Sequence, residues 1–186
     1  LLSIKKTLSL GDSKNNISLH EPSFKDTRAL EYLKDCIDTG WVSSGGEWVK
    51  KFEEEICKYT QSKFAIAVTN GTVGLRLALH CIGVKPGDEV IIPPLTFVAT
   101  ANSISHLGAY PHFVDIEKNK LSLSPLELNK RLEKVAIKKG KEVFNIGTGR
   151  RISAILPVHL FGIPADISGI KKIAEFWGLP IVEDAA

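Results

Sequence analysis

The chain has 186 residues, 44% of them hydrophobic and 24% charged, which excludes a largely disordered or low-complexity protein. Its formal charge is only +3, and Lys and Glu alternate instead of forming a basic block, which argues against nucleic-acid binding. No apolar run approaches the ~20 residues of a membrane helix and the N-terminus lacks a signal-peptide core, so no membrane association and a cytoplasmic protein are expected.

Residues 1–17 are polar and aperiodic and read as an N-terminal arm. Leu30, Leu33 and Ile37 then recur at helical spacing before Gly40, predicting a helix at about 24–39 with a glycine stop. After WVSSGG, Trp48, Phe52, Ile56 and Tyr59 share one face and predict a second amphipathic helix. From there short apolar runs alternate with helical stretches. FAIAVT, EVIIPP, PHFVDI, ISAILPVHL and PIVED are expected strands; about 72–82, 97–107, Pro125 to about Lys138, and 167–177 are expected helices. Strands apolar on both faces and joined by crossovers predict an α/β fold of three layers, α/β/α, with a mostly parallel sheet. The stretch KKGKEVFNIGTGRRIS interrupts this rhythm and reads as an exposed turn or small hairpin insert.

Cys36, Cys57 and Cys81 are odd in number and widely spaced, so neither a disulfide framework nor a cysteine metal site is expected. The chain begins without methionine and stops at IVEDAA at the end of a strand-like run, which predicts a cut inside a domain.

In a parallel sheet ligands gather beyond the carboxyl ends of the strands, and four such ends carry candidate residues. At Thr69-Asn70-Gly71-Thr72, Gly71 permits a tight turn, and the next helix offers unpaired N–H groups suited to a phosphate; an ordinary capped helix start is the plain alternative. At Pro93-Pro94-Leu95-Thr96-Phe97 the aromatic ring could lie against a planar cofactor or simply plug the core, and Thr96 could be only a cap. His159, ending the run before Leu160-Phe161-Gly162, could donate into the cleft or be a structural histidine. At Ile181-Val182-Glu183-Asp184, strand alternation turns Asp184 inward and Glu183 outward. A buried carboxylate needs a partner, which a protonated pyridine nitrogen would supply; a solvated acidic turn is the alternative.

Together GWVSSGGEWVKKFEEE, TNGTVGLRLAL, PGDEVIIPPLTFVATANSI, FVDI, LPVHLFG and IVEDAA resemble the DegT/DnrJ/StrS aminotransferases of the fold type I pyridoxal 5'-phosphate (PLP) enzymes, from about Ser18 to the end. The resemblance implies that residues 18–186 are the N-terminal part of a PLP-binding large domain, without its C-terminal part and the small domain, and that the complete protein is a homodimer. It implies PLP phosphate held around Gly71 and Thr72, Phe97 stacked on the ring and Asp184 at the pyridine nitrogen, with Asn70, Thr96 and His159 as further candidates. The lysine that holds the cofactor covalently is expected beyond Ala186, so no lysine here is assigned as catalytic, and no metal is implied. The implied activity is transfer of an amino group, from glutamate, to a nucleotide-linked 4-keto-6-deoxy sugar for cell-surface polysaccharide or glycan synthesis. WVSSGGEWV and the GTGRRI insert resemble most the branch leading to nonulosonic acids such as legionaminic acid. A PLP-dependent sugar dehydratase, with histidine in place of the lysine, and a non-catalytic binding protein on the same fold are the alternatives. A dinucleotide-binding module fits less well, because TNGT and not G-x-G-x-x-G follows the first expected strand.

Overall fold

Gly40 ends the first helix, α1 (Ala29–Thr39), with a left-handed backbone at φ 73° that returns its N–H to the Ile37 carbonyl, a conformation that lacks strain only without a Cβ. The computed structural model describes residues 24, 25 and 27–186, so the expected arm at 1–17 lies outside the described residues. The helix starts later than the expected position near 24. Thr27 Oγ1 donates to the Phe24 carbonyl and accepts from the Ala29 amide, a local turn that competes with helix.

Two compact units divide between Ala67 and Val68. In the first, α1 is followed by α2 (Glu47–Thr60). The Trp48 indole N–H donates to Asp35 Oδ2 at 2.6 Å, and its ring centroid lies 4.3 Å from that of Tyr32. Leu30, Leu33, Ile37, Phe52 and Tyr59 carry the helical periodicity yet remain exposed. FAIAVT forms no strand. A strand exists only against a neighbour's ladder, and none of the described strands pairs with this segment, leaving Phe64 and Ile66 exposed.

The second unit holds the sheet. Its elements are α3 (Gly71–Cys81), β1 (Glu89–Ile92), α4 (Val98–Ser105), β2 (Tyr110–Phe113), α5 (Pro125–Val135), β3 (Ala136–Lys139), β4 (Glu142–Asn145), β5 (Arg151–Ile155) and α6 (Ile167–Trp177). The strand order is β2-β1-β5-β4-β3. β1 pairs in parallel with β2 and β5, as crossover connections predict, whereas β3, β4 and β5 form an antiparallel ribbon. The expected insert is therefore a hairpin, but one incorporated into the sheet, with Val143 and Asn145 buried. It also shortens α5: the stretch from Ala136 to about Lys138, expected to finish that helix, instead belongs to β3.

Two cores flank the sheet, giving the layered α/β architecture. Val90, Ile92, Ala154 and Leu156 pack with Leu75 and Leu79 of α3 and Ile104 of α4. Ile91, Ile152 and Ile155 pack on the other face with Leu128 and Leu132 of α5 and Ile170 of α6. Ile152 and Ala154 fall on opposite faces because Ser153 is an extra residue in the β1–β5 register, Glu89 pairing with Ile152 and Val90 with Ala154. Such a bulge reverses the alternation beyond it.

The amino end of β1 is fastened by a buried polar network. Glu89 accepts from Asn145 Nδ2 at 2.8 Å and Thr148 Oγ1 at 2.6 Å, and meets His112 Nδ1 at 2.7 Å. Arg131 Nε donates to His112 Nε2 at 2.8 Å, which puts the imidazole proton on Nδ1, facing Glu89. One carboxylate thus ties β1 to β2 and to the turn between β4 and β5.

No helix among the described residues is long and apolar enough to cross a membrane. All three cysteines are free, Cys36 and Cys57 half-buried and Cys81 exposed.

Candidate active site

Beyond the carboxyl ends of β1 and β5 lies a cavity of about 290 Å³ bounded by Asn70, Gly71, Thr72, Thr96, Phe97, His159 and Asp184, with Leu75, Ala99, Val158, Leu160, Phe161 and Ala186 completing its wall. All seven residues singled out in the sequence meet there. The volume is near the lower end of small-molecule sites, roughly 300 Å³.

Asn70 caps α3: its side chain accepts from the Val73 amide at 3.0 Å, and its carbonyl accepts from Gly74. The amides of Gly71 and Thr72 are left without a protein acceptor among the described residues, the donor pair that a helix N-terminus offers an anion. The turn itself does not demand glycine at position 71, which is absent from the positive-φ glycines, contrary to the expected tight turn. A Cβ there would meet only Ala186 Cβ at 3.8 Å, an ordinary contact that places this corner beside the chain end. Gly74 has a steric reason: a Cβ would come within 3.2 Å of Val68 Cγ2.

Phe97 does not plug the core. It is the N-terminal flanking residue of α4 and is 75% exposed, an apolar face available to a flat ligand. Thr96 is no side-chain cap of that helix; its hydroxyl contacts Thr100 Oγ1 at 2.6 Å.

Asp184 is 7% exposed and is held by its backbone. PIVED forms isolated parallel bridges instead of a full strand, Ile181 beside Ile155 and Asp184 beside Val158. Asp184 donates its amide to the Pro157 carbonyl at 3.0 Å, and its carbonyl accepts from His159 at 2.9 Å. Pro157 lacks an N–H but keeps its carbonyl, so the ladder continues past the end of β5. Asp184 Oδ2 accepts from Thr100 Oγ1 at 2.6 Å and Oδ1 from the Ala186 amide at 3.3 Å. Glu183 is exposed and does not line the cavity.

His159 lines the cavity but has no free nitrogen. Its Nδ1 accepts from the Ala165 amide at 3.1 Å, and Nε2 lies 2.9 Å from Glu183 Oε2. The accepting Nδ1 places the proton on Nε2, so the expected donation into the cleft does not occur. Phe161, also on the wall, has φ 54° and is 81% exposed, a left-handed backbone costly for a bulky residue.

Thr100 is a site residue that sequence reasoning misses, although it follows Thr96 by four residues in TFVAT and contacts its hydroxyl. What could not be read was that Asp184, 84 residues on, reaches the same residue. The donor set suits a ligand with an anionic group, a flat ring and a basic atom for Asp184; these side chains include no set of metal ligands.

The DegT/DnrJ/EryC1/StrS aminotransferase family matches residues 24–186. The GDP-perosamine synthase of Vibrio cholerae is 36% identical over 170 residues, covering 91% of this chain and 42% of its own length. The structure of ntda from Bacillus subtilis with bound cofactor PMP has a TM-score of 0.74 at 28% identity, with 93% of this chain and 38% of that one covered. DesI in the presence of its TDP-sugar product has a TM-score of 0.71 at 33% identity, with 86% and 36% covered. The chain thus spans about two fifths of the length of the curated relatives it matches.

Proposed function

The chain belongs to the DegT/DnrJ/EryC1/StrS aminotransferase family, and from that premise we propose that it forms the cofactor-binding part of a PLP-dependent enzyme that aminates a nucleotide-linked keto sugar. The observation that carries this reading is the meeting of Gly71, Thr72, Phe97 and Asp184 around one cavity, an anion corner, an aromatic face and a buried carboxylate in one place. When bound, PLP supplies the electron-withdrawing ring through which an amino group passes from donor to acceptor.

In this reading the Gly71 and Thr72 amides hold the phosphate, assisted by the positive end of α3. Phe97 fixes the plane of the ring and keeps water from one face. Asp184 would accept a hydrogen bond from the ring N–H and so keep that nitrogen protonated. His159 shapes the wall through its ring while Glu183 and Ala165 hold its nitrogens. The covalent lysine and the small domain are assigned to the region downstream of Ala186, and the assembly to a homodimer.

Glutamate is the proposed amino donor and cell-surface glycan synthesis the proposed role. The proposed sugar is a 4-keto-6-deoxy sugar on GDP or TDP, supported by a relative named for GDP-perosamine and another described with a TDP-sugar product. Neither points to legionaminic acid, and the proposal stops at the wider class. The test incubates the full-length gene product with PLP, glutamate and GDP- or TDP-linked 4-keto-6-deoxy sugars, and follows the mass change on replacing a carbonyl oxygen by an amine. Amination that depends on both PLP and glutamate supports the reading; dehydration of the sugar, or no turnover of any of these substrates, overturns it.

A further inference from the structure

Thr100 lies in the first turn of α4 and is fully buried. A helical threonine commonly turns its hydroxyl back to a carbonyl of its own helix. Here it donates across the fold to Asp184 Oδ2 at 2.6 Å. We infer that Thr100 is a positioning residue for Asp184, and that Thr96 and Thr100 form a two-hydroxyl relay from the cavity wall to that carboxylate. The inference rests on the proposed reading of the cavity as a PLP site.

The direction of the relay follows from counting hydrogens. A hydroxyl has one to donate, and an ionised carboxylate has none. Thr100 therefore gives its hydrogen to Asp184, and in the 2.6 Å contact with Thr96 Thr96 is the donor. The competing acceptor for Thr96, the Phe97 carbonyl, is farther away at 3.3 Å. Distance also ranks the bonds at Asp184: the Ala186 amide is at 3.3 Å, whereas Thr100 lies within the roughly 2.5–2.7 Å of a charge-assisted O–H donor. Thr100 is thus the stronger of the two protein donors that hold this carboxylate.

The consequence is both geometric and electrostatic. Thr96 and Phe97 immediately precede α4 and Thr100 lies in its first turn, so one short segment sets the aromatic face and the orientation of the carboxylate. Donation to Asp184 fixes the plane of its carboxylate, and a carboxylate held in place toward the cavity favours the proton on the ring nitrogen assigned to it. A hydroxyl that merely filled space would do neither.

The test compares Thr100→Val, which keeps the shape and removes the hydroxyl, with Thr100→Ser and Thr96→Val in the full-length gene product. Two quantities are read: the Kd for PLP by equilibrium titration, and the pH at which bound PLP labelled with 15N in the ring loses its nitrogen proton, followed by NMR. Thr100→Val is expected to raise Kd roughly tenfold and to lower that pH by about one unit. Thr100→Ser is expected to restore both, and Thr96→Val to shift both in the same direction by less. Wild-type values in Thr100→Val, or equal damage in Thr100→Ser, overturn the inference. Should Thr100→Val not fold, Thr96→Val decides, and unchanged values there overturn the relay. A wild-type protein that takes up no PLP overturns the reading of the cavity and this inference with it; uptake with an unmoved nitrogen in the variants overturns the inference alone.

Discussion

At the scale of single residues, the site combines one deeply held group with one freely presented. Asp184 is locked by backbone bonds on both sides and by Thr100, and it is 7% exposed. Asp184→Asn retains the shape and loses the charge, and turnover of the full-length enzyme is expected to fall on the order of a hundredfold, the value of one charge-assisted bond, as measured by kcat. Phe97 is 75% exposed and contributes little to folding. Phe97→Ala is expected to leave the urea unfolding midpoint unchanged while raising the Kd for PLP several-fold, since aromatic stacking is worth about 0.5–1.5 kcal/mol. Both residues are legible as candidates in the sequence, since Asp184 ends an apolar run and Phe97 opens the helix after one. The engagement of His159 with Glu183 and Ala165 is not legible there, because those contacts depend on where the chain returns after β5.

At the scale of elements, legibility followed the origin of each ordering force. Helices α3 and α6 agree with the expected ranges almost to the residue, and α2 with its expected apolar face, because their ordering forces are local: apolar periodicity and, in the structure, the Asn70 and Asp166 caps and the Gly178 stop. FAIAVT and PIVED, expected as strands, do not form full ones, because a ladder depends on a partner that a single segment does not encode. The antiparallel ribbon differs from the expected exposed turn or small hairpin insert by joining the sheet, which its short alternation does not signal because its polar residues are buried in company, Asn145 above all. That company makes Glu89 sensitive to acid. Burial, the largest single influence, pushes its carboxyl up, but hydrogen bonds from Asn145, Thr148 and His112 together outweigh it and hold the group below its ordinary value of 4.5. A carboxyl lowered in the folded state stabilises the fold above the unfolded value and loses that contribution as pH falls through the folded one. Urea denaturation at a series of pH values is thus expected to show the wild type losing stability below about pH 4.5 more steeply than Glu89→Gln, which has no proton to take up; parallel curves would contradict the role given to Glu89.

At the scale of the whole molecule, the two ends of the sheet divide the work. The amino end of β1 carries the Glu89 network that fastens β2 and the ribbon, whereas the carboxyl ends of β1 and β5 open onto the cavity. This polarity was predictable, because helices that follow parallel strands turn their N-termini toward the same edge. The most direct test is a crystal structure of the full-length gene product grown with PLP. The phosphate is expected at the Gly71 and Thr72 amides, the ring against Phe97 and its nitrogen within hydrogen-bond distance of Asp184. A cofactor seated elsewhere, or a ring whose nitrogen faces away from Asp184, would contradict the proposed cofactor site.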